Sequence, residues 1–305
     1  MRRRDFAPAL VGLLGKSERR IEGGLALESS DSGHRIRDRE LPEAPKERQK
    51  RQVVIVGGGV SGLTAAWRLA KCGLGDFIVL ELEQQAGGNS RWGENEITRF
   101  PWAAHYLPLP DTGNAIVREL CEEFGLLKNG EYDERWLCHS PQERLFIHGR
   151  WQEGLEPLTG ATAEDLRQMK RFDEQMRDFA STGAFTLPLD RGLEKAPAAL
   201  RRLDEIDMAE WMRREGYSSE PLRWLVDYST RDDYGTHANA ASAYAGIHYF
   251  ASRPHEEKGP LTWPEGNGWL MQKLLAAAGP RVRTGMMVRR IARRGLRWEI
   301  QAGRT

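Results

Sequence analysis

Cysteine, long apolar runs and an excess of one charge are all scarce in this sequence of 305 residues. Its three cysteines form no C-x-x-C pair, and an odd number argues against a disulfide framework or a zinc site. We therefore expect no metal site, and we expect Cys72 to pack within a predicted helix as a small hydrophobic residue. The net charge of +1 gives no reason to expect a nucleic-acid partner.

No apolar stretch in the sequence is long enough to predict a stable membrane span. Residues 3–6 (RRDF) resemble the twin-arginine export signal and precede a short apolar run, residues 6–15. The resemblance implies that residues 1–22 are an export signal and that the protein is periplasmic. No A-x-A cleavage motif follows, however, and Lys16 comes directly after the apolar run. The alternative is a basic N-terminal tail on a cytoplasmic protein.

The most informative stretch is residues 53–89, VVIVGGGVSGLTAAWRLAKCGLGDFIVLELEQQAGGN. Its β-branched start, residues 53–56, is typical of a buried parallel strand. Residues 63–73 predict an amphipathic helix that ends at Gly73, and residues 77–80 predict a second strand. This order is that of a strand–helix–strand unit.

A glycine-rich turn that fits G-x-G-x-x-G joins the first strand to the helix. Gly57 permits the tight turn, Gly59 lets a pyrophosphate approach the backbone, and Gly62 allows close packing of the helix on the strand. The N–H groups at the start of the helix favour negative charge. The residues that we expect at the pyrophosphate are Gly57, Gly58, Gly59, Val60, Ser61 and Gly62.

An acidic residue, Glu81, ends the second strand 19 residues after Gly62. A carboxylate there can accept hydrogen bonds from ribose hydroxyls, and it would disfavour the extra phosphate of NADP. The strand, the helix and the acid together predict a dinucleotide-binding unit, with a structural glycine turn as the alternative. The unit by itself does not distinguish FAD from NAD.

The continuation from Glu81 to Gly87-Gly88-Asn89 resembles the flavin-containing amine oxidase superfamily, whose pattern is a Glu, a short polar run and Gly-Gly-Arg. Asn89 stands where arginine is usual. The resemblance implies FAD as the cofactor, with Gly87, Gly88 and Asn89 in contact with it; an ordinary loop is the alternative. It also implies an α/β fold, in which a Rossmann-type FAD-binding domain carries an inserted, mainly helical substrate domain.

Two later segments extend this resemblance. Residues 103–106 (AAHY) resemble the small-small-x-Tyr run that returns along the flavin, which implies that Ala104 and His105 lie near FAD. His105 is the one candidate for a catalytic base; a histidine that satisfies only local backbone groups is the alternative. Residues 263–268 (WPEGNG) resemble the segment that re-enters the FAD domain. The resemblance also implies that the backbone of Val288 contacts the adenine, with a plain strand valine as the alternative.

The composition and the resemblance together predict five segments along the chain. They are an export signal (1–22), a linker (23–51), the first part of the FAD-binding domain (52–150), a mainly helical substrate domain (151–258) and a return to the FAD-binding domain (259–305). In the family the sheet continues further. The resemblance therefore implies the N-terminal portion of a longer flavoprotein, with one sheet edge unpaired.

Aromatic residues are frequent in the predicted helical domain: Trp211, Trp224, Tyr228, Tyr234, Tyr244 and Tyr249. Their helical spacing favours a core over a substrate cage. Asp232 and Asp233 could hold a cationic substrate, but a charged turn that ends a helix is the simpler interpretation.

The function predicted from the sequence is that of an FAD-dependent oxidoreductase resembling flavin amine oxidases. It would transfer a hydride from a C–H bond of a small-molecule substrate to flavin N5. A desaturase or isomerase flavoprotein of the same superfamily is one alternative. An NAD-dependent dehydrogenase is another, although it would need neither the Gly-Gly-Asn turn nor the re-entry segment. A truncated, non-catalytic binding module is the third.

Overall fold

The computed structural model describes residues 28–38, 47–110, 113–139, 143–187, 189–253 and 259–305. The predicted export signal lies outside these residues, as does part of the predicted linker. The chain divides into two compact units: Met1–Arg91 with Leu274–Thr305 form unit 1, and Trp92–Lys273 form unit 2. The assignment of FAD-binding and substrate domains, with limits at residues 150 and 258, stays a prediction.

The secondary structure alternates strands and helices at both ends of the chain and is mainly helical between them. The helices are α1 (Glu28–Arg37), α2 (Val60–Lys71), α3 (Ala115–Glu123), α4 (Ala163–Ser181), α5 (Leu189–Lys195), α6 (Ala198–Arg201), α7 (Met208–Arg214), α8 (Glu220–Tyr234), α9 (Ala243–Ala251) and α10 (Gly268–Ala278). The strands are β1 (Val53–Val56), β2 (Phe77–Leu80), β3 (Trp92–Glu94), β4 (Arg99–Pro101), β5 (Tyr106–Leu107), β6 (Leu127–Lys128), β7 (Glu131–Tyr132), β8 (Arg144–Ile147), β9 (Arg150–Glu153), β10 (Leu261–Thr262), β11 (Val282–Arg283), β12 (Met286–Arg294) and β13 (Arg297–Arg304).

Unit 1 is built on a parallel sheet with the strand order β1–β2–β11. Helix α2 buries Leu63, Ala66 and Trp67. The same core contains Phe77 and Val79 of β2, against which side chains of β1 and β11 pack. The strand–helix–strand unit predicted from residues 53–80 is therefore present, with the predicted strand limits.

The burial predicted for β1 is only partly reached. Its first three residues are half-buried, and Val56 is 49% exposed. Among the described residues, β1 pairs with β2 alone and lies at an edge of the sheet. A parallel strand is buried on both faces only when the sheet and its covering helices extend beyond it. Strand β1 therefore pairs as predicted but is less buried than predicted.

The prediction that Cys72 packs inside a helix is wrong. Helix α2 ends at Lys71, and Cys72 is its exposed C-terminal cap. Gly73 has a φ of 78°, and Leu74 N donates to Leu69 O at 3.0 Å. This is the Schellman arrangement, which reverses the chain within two residues. The thiol therefore lies just past the buried face of the helix.

The last strands of unit 1 support the end of β2. Glu81 N donates to Arg283 O at 2.8 Å, and Met286 N donates back to Glu81 O at 2.8 Å. Strand β12 continues from this point into an antiparallel hairpin with β13. Val288, which the sequence analysis considered as a plain strand valine, lies in the first strand of this hairpin.

Unit 2 has a helical core whose central side chains come from α4, α7, α8 and α9. Of the six aromatic residues that the sequence singled out, Trp211 and Tyr244 lie in this core. Trp224 and Tyr234 are each 38% exposed. The core interpretation thus holds for two of the six, and the other four lie outside this core: Trp224, Tyr228 and Tyr234 of α8 and Tyr249 of α9.

The two carboxylates at the end of α8 lie in a charged turn that ends the helix. Gly235 caps α8 in the left-handed conformation, with a φ of 65°. Asp233 pairs with Arg253 at 2.7 Å. The simpler of the two sequence interpretations therefore describes this turn.

Candidate dinucleotide-binding site

The glycine-rich turn after β1 is tightly built. Gly57 has a φ of 99°, which L side chains rarely adopt, and its N–H donates to Leu80 O at 2.8 Å. At Gly62 a Cβ atom would lie 1.9 Å from Gly57 O. Both positions therefore require glycine for the reasons that the motif predicted: a tight turn at the first and close packing at the second.

The start of α2 presents backbone donors without an internal partner. The first turn of a helix leaves its N–H groups unbonded within the helix. Gly59 occupies the cap position, no side chain caps the helix, and the first turn contains no acidic residue. No acidic residue of the helix itself therefore neutralises the positive end of its dipole, an arrangement that favours an anion.

An open cleft of about 380 Å³ lies over this helix start. Seven of the predicted cofactor-binding residues line it together: Gly57, Gly59, Val60, Ser61, Gly62, Gly87 and Asn89. Val56 and Ser90 line it too. The sequence did not single these two out, although each directly adjoins a predicted contact. No charged side chain belongs to the lining of this cleft.

The second glycine turn packs directly on the first. Gly87 and Gly88 have φ values of 132° and 55°, and Gly87 N donates to Gly58 O at 2.8 Å. A Cβ atom on Gly88 would lie 3.2 Å from the Cα of Gly59. A short 3-10 helix, Gly88–Ser90, then presents Asn89 at the cleft. Glycine is needed here for close backbone approach, as the resemblance implied.

Glu81 holds the first turn in place from behind. Its carboxylate accepts hydrogen bonds from Gly58 N at 2.5 Å and from Glu83 N at 2.8 Å, and the residue is 7% exposed. Glu81 does not belong to the lining of the cleft. Each carboxylate oxygen can accept a second hydrogen bond, which leaves room for the bond to a ribose hydroxyl. That bond stays a prediction. The bond to Gly58 is a further role that the motif did not predict.

Val288 lies in β12, away from the two glycine turns in sequence. It is half-buried and pairs with Ala302, next to a bulge before Arg290. Its predicted backbone contact with adenine stays a prediction.

In unit 2, Ala104 and His105 lie against the predicted re-entry segment. Strands β5 and β10 pair there, and Asn267 N donates to Ala104 O at 3.1 Å. A Cβ atom on Gly266 would lie 2.7 Å from the Cα of His105. The structure therefore brings together the two segments that the resemblance associated with the flavin.

The imidazole of His105 is exposed and makes one local hydrogen bond. Its Nδ1 lies 3.0 Å from Ala103 O. Because a carbonyl oxygen only accepts, Nδ1 must carry the proton, and Nε2 holds the lone pair in the neutral ring. The local backbone bond that the sequence considered as an alternative thus exists. It also fixes the tautomer in which Nε2 can act as a base.

The described part of the chain contains no group of three or more histidine, cysteine, aspartate or glutamate side chains suited to a metal ion. None of its helices combines the length and apolarity that a membrane crossing requires.

Comparison with known proteins gives matches in sequence and in fold. A family described as NAD(P)-binding Rossmann-like domain matches residues 55–124. An L-amino acid oxidase of Lachesis muta is 42% identical over 91 residues, which are 28% of this chain and 17% of the relative. A Baeyer-Villiger monooxygenase of Penicillium patulum is 29% identical over 147 residues, 48% of this chain and 22% of the relative.

Among solved structures, a putrescine oxidase bound to putrescine matches with a TM-score of 0.64 at 19% identity, over 83% of this chain and 55% of that chain. These similarities confirm the resemblance to the flavin-containing amine oxidase superfamily, and the chain has the α/β fold of that superfamily. The chain spans about a fifth of the length of the two curated relatives and about half of the putrescine oxidase.

Proposed function

We propose that this chain is the FAD-binding part of an FAD-dependent oxidoreductase of the amine oxidase type, acting on a small-molecule substrate. The observation that carries the proposal is the cleft at the uncapped start of α2, where the two glycine turns meet. The similarity to an L-amino acid oxidase and to a putrescine oxidase supports FAD as the dinucleotide and makes amines the first substrates to test.

The residues of the cleft suit the pyrophosphate of FAD. The N–H groups of Val60 and Ser61 and the Ser61 hydroxyl would donate to its oxygens. Gly59 has no side chain, so the ligand can approach the backbone. The Asn89 side chain would donate an amide N–H from the opposite turn, and Glu81 would accept from a ribose hydroxyl.

Bound FAD would supply the hydride acceptor, flavin N5. The chain's own residues would orient the cofactor and hold a proton near it. His105 is the candidate for the second task, because its Nδ1 is tied to Ala103 O and its Nε2 is left as the basic atom. This role for His105 follows from the resemblance and from the tautomer.

The test is an equilibrium titration of the purified apo-chain with FAD and, separately, with NAD. We expect saturable binding of FAD, competition by ADP and much weaker binding of NAD. The loaded protein is then assayed with primary amines and amino acids for flavin reduction. Binding of NAD but not of FAD would refute the proposal and favour a dehydrogenase. A folded chain that binds neither would favour a non-catalytic module.

We also propose, from residues 3–6 alone, that the protein is exported by the twin-arginine route to the periplasm. These residues lie outside those that the structure describes. Cell fractionation of the native chain and of an Arg3→Lys, Arg4→Lys variant tests this. Export that is lost in the variant supports the proposal, and a cytoplasmic native chain refutes it.

A further inference from the structure

An ion pair lies beside the second glycine turn. The Nη1 atom of Arg91 is 3.8 Å from Oε2 of Glu83, and the two side chains are only 15% and 14% exposed. The other carboxylate oxygen of Glu83, Oε1, is buried and has no hydrogen-bond partner among the described residues. The compensation of the Glu83 charge therefore depends on Arg91, since a buried carboxylate without a partner is costly.

Arg91 is also part of the turn that forms one wall of the cleft. Its backbone N–H donates to Gly88 O at 3.2 Å and closes the 3-10 helix. Its side-chain stem lies over Gly87, where a Cβ atom would be 3.2 Å from Arg91 Cγ. Gly87 in turn donates to Gly58 O. The guanidinium thus links Glu83 to the turn that carries Asn89.

The charges around the cleft make this pair important for an anionic ligand. The cleft lining contains no arginine or lysine, and Asn89 is its one amide side chain. Two carboxylates, Glu81 and Glu83, follow β2 directly. An uncompensated carboxylate close to a pyrophosphate would repel it, because the interaction is weakly screened away from bulk water.

We propose that Arg91 is a positioning residue for the dinucleotide. Its guanidinium neutralises Glu83, and its stem, which methionine would retain, packs on Gly87 of the second glycine turn. Asn89 and the helix start can then bind the pyrophosphate without a cationic side chain in the cleft. This inference rests on the proposed function, because it concerns binding of FAD at the same site. In the proposed role Arg91 acts on the ligand through Glu83, whereas in the alternative its guanidinium would contact a phosphate directly. A double substitution distinguishes the two roles.

The two roles predict opposite outcomes for a double substitution. Arg91→Met leaves the Glu83 charge unpaired, so FAD affinity should fall about tenfold or more, and the melting temperature of the apo-chain should fall as well. Glu83→Gln removes the charge and should leave FAD affinity within about threefold of the native value. The double variant Glu83→Gln, Arg91→Met should also bind FAD within about threefold of the native value, because no charge is then left unpaired.

The experiment titrates FAD into the native chain and these three variants by quenching of flavin fluorescence, and it records the melting temperature of each apo-chain. The matched control removes the exposed pair Arg144–Glu153 of the β8–β9 hairpin, with a separation of 3.1 Å, and should change neither quantity. Arg91→Lys retains the charge and should keep most of the affinity.

Recovery of FAD affinity in the double variant supports the positioning role. A double variant as weak as Arg91→Met would show that the guanidinium acts on the ligand itself, which overturns the inference. A loss of FAD affinity in the Glu83→Gln variant alone would also overturn the inference. This variant can be measured even if Arg91→Met does not fold. If the native chain binds no FAD, both the proposed function and this role of Arg91 are refuted. If the native chain binds FAD and Arg91→Met binds it equally well, only the role of Arg91 is refuted.

Discussion

Replacing Gly59 with leucine should abolish cofactor binding and leave the fold intact. Gly59 has φ and ψ values of −77° and −172°, an extended conformation that any residue adopts. A Cβ atom at this position meets nothing nearer than the Cα of Gly88, at 3.8 Å. The new side chain therefore has room in the empty chain, and because Gly59 lines the cleft, it would extend into the space that the pyrophosphate needs.

The two effects of this substitution differ in size. Leucine is a poorer helix cap than glycine, which costs about 1 kcal/mol and would lower the melting temperature by about 2–4 °C. Loss of the hydrogen bonds from Val60 N and Ser61 N to a charged ligand costs about 1.5–3 kcal/mol each. The affinity for FAD should therefore fall by a factor of about 100 or more.

The assay compares FAD binding and thermal unfolding in the native chain, in Gly59→Leu and in Gly75→Leu. Gly75 is a matched control, because it is exposed in the same unit and a Cβ atom there meets only the flexible Arg281 side chain, at 3.7 Å. Gly75→Leu should bind FAD normally. If Gly59→Leu binds FAD with native affinity, the cofactor does not lie on this turn and the reasoning is refuted.

Three further predictions concern the stability and reactivity of unit 1 and of the buried thiol. Gly62→Ala should yield no stably folded protein in expression and circular dichroism trials, because its Cβ would lie 1.9 Å from Gly57 O; a well-folded variant would contradict the described turn. Glu81→Gln should lower the free energy of unfolding in urea by about 1–3 kcal/mol, because an amide can accept only one of the two backbone hydrogen bonds without turning its own N–H groups toward a donor; an unchanged value would contradict this role. In native thiol labelling followed by mass mapping, Cys72 should react promptly, whereas Cys121 should react only after denaturation, because burial raises the pKa of its thiol to about 11; equal labelling rates would contradict the burial.

The local geometry of the glycine turns could be predicted from the sequence because it depends on adjacent residues. A positive φ at Gly57 and a missing Cβ at Gly62 are requirements of a strand that turns directly into a helix. The turn of the β8–β9 hairpin is equally local, because both of its central residues, His148 and Gly149, have the positive φ values that a two-residue turn demands.

Contacts between side chains and distant backbone groups could not be predicted in the same way. The motif presents Glu81 only as a ligand for ribose, but in the fold its carboxylate also bonds to Gly58, 23 residues earlier. The pairing of Glu83 with Arg91 depends on the path of the second glycine turn. The exposure of Val56 depends on which strands lie beside β1, a property of the assembled sheet that no local pattern encodes.

Cys72 is exposed because α2 ends one residue before it, at Lys71. Periodicity placed it within the helical pattern, but the Schellman turn at Gly73 ends α2 at Lys71. Helix ends are the part of a pattern that hydrophobic spacing determines least, because the capping geometry sets them.

The central claim is that this chain binds FAD in the cleft at the start of α2. The most direct measurement is the visible absorbance of the purified chain, followed by identification of any cofactor released on denaturation. The account predicts a two-banded flavin spectrum and release of FAD, or the appearance of that spectrum when FAD is added to a colourless chain. A well-folded, colourless chain that FAD cannot reconstitute would contradict it.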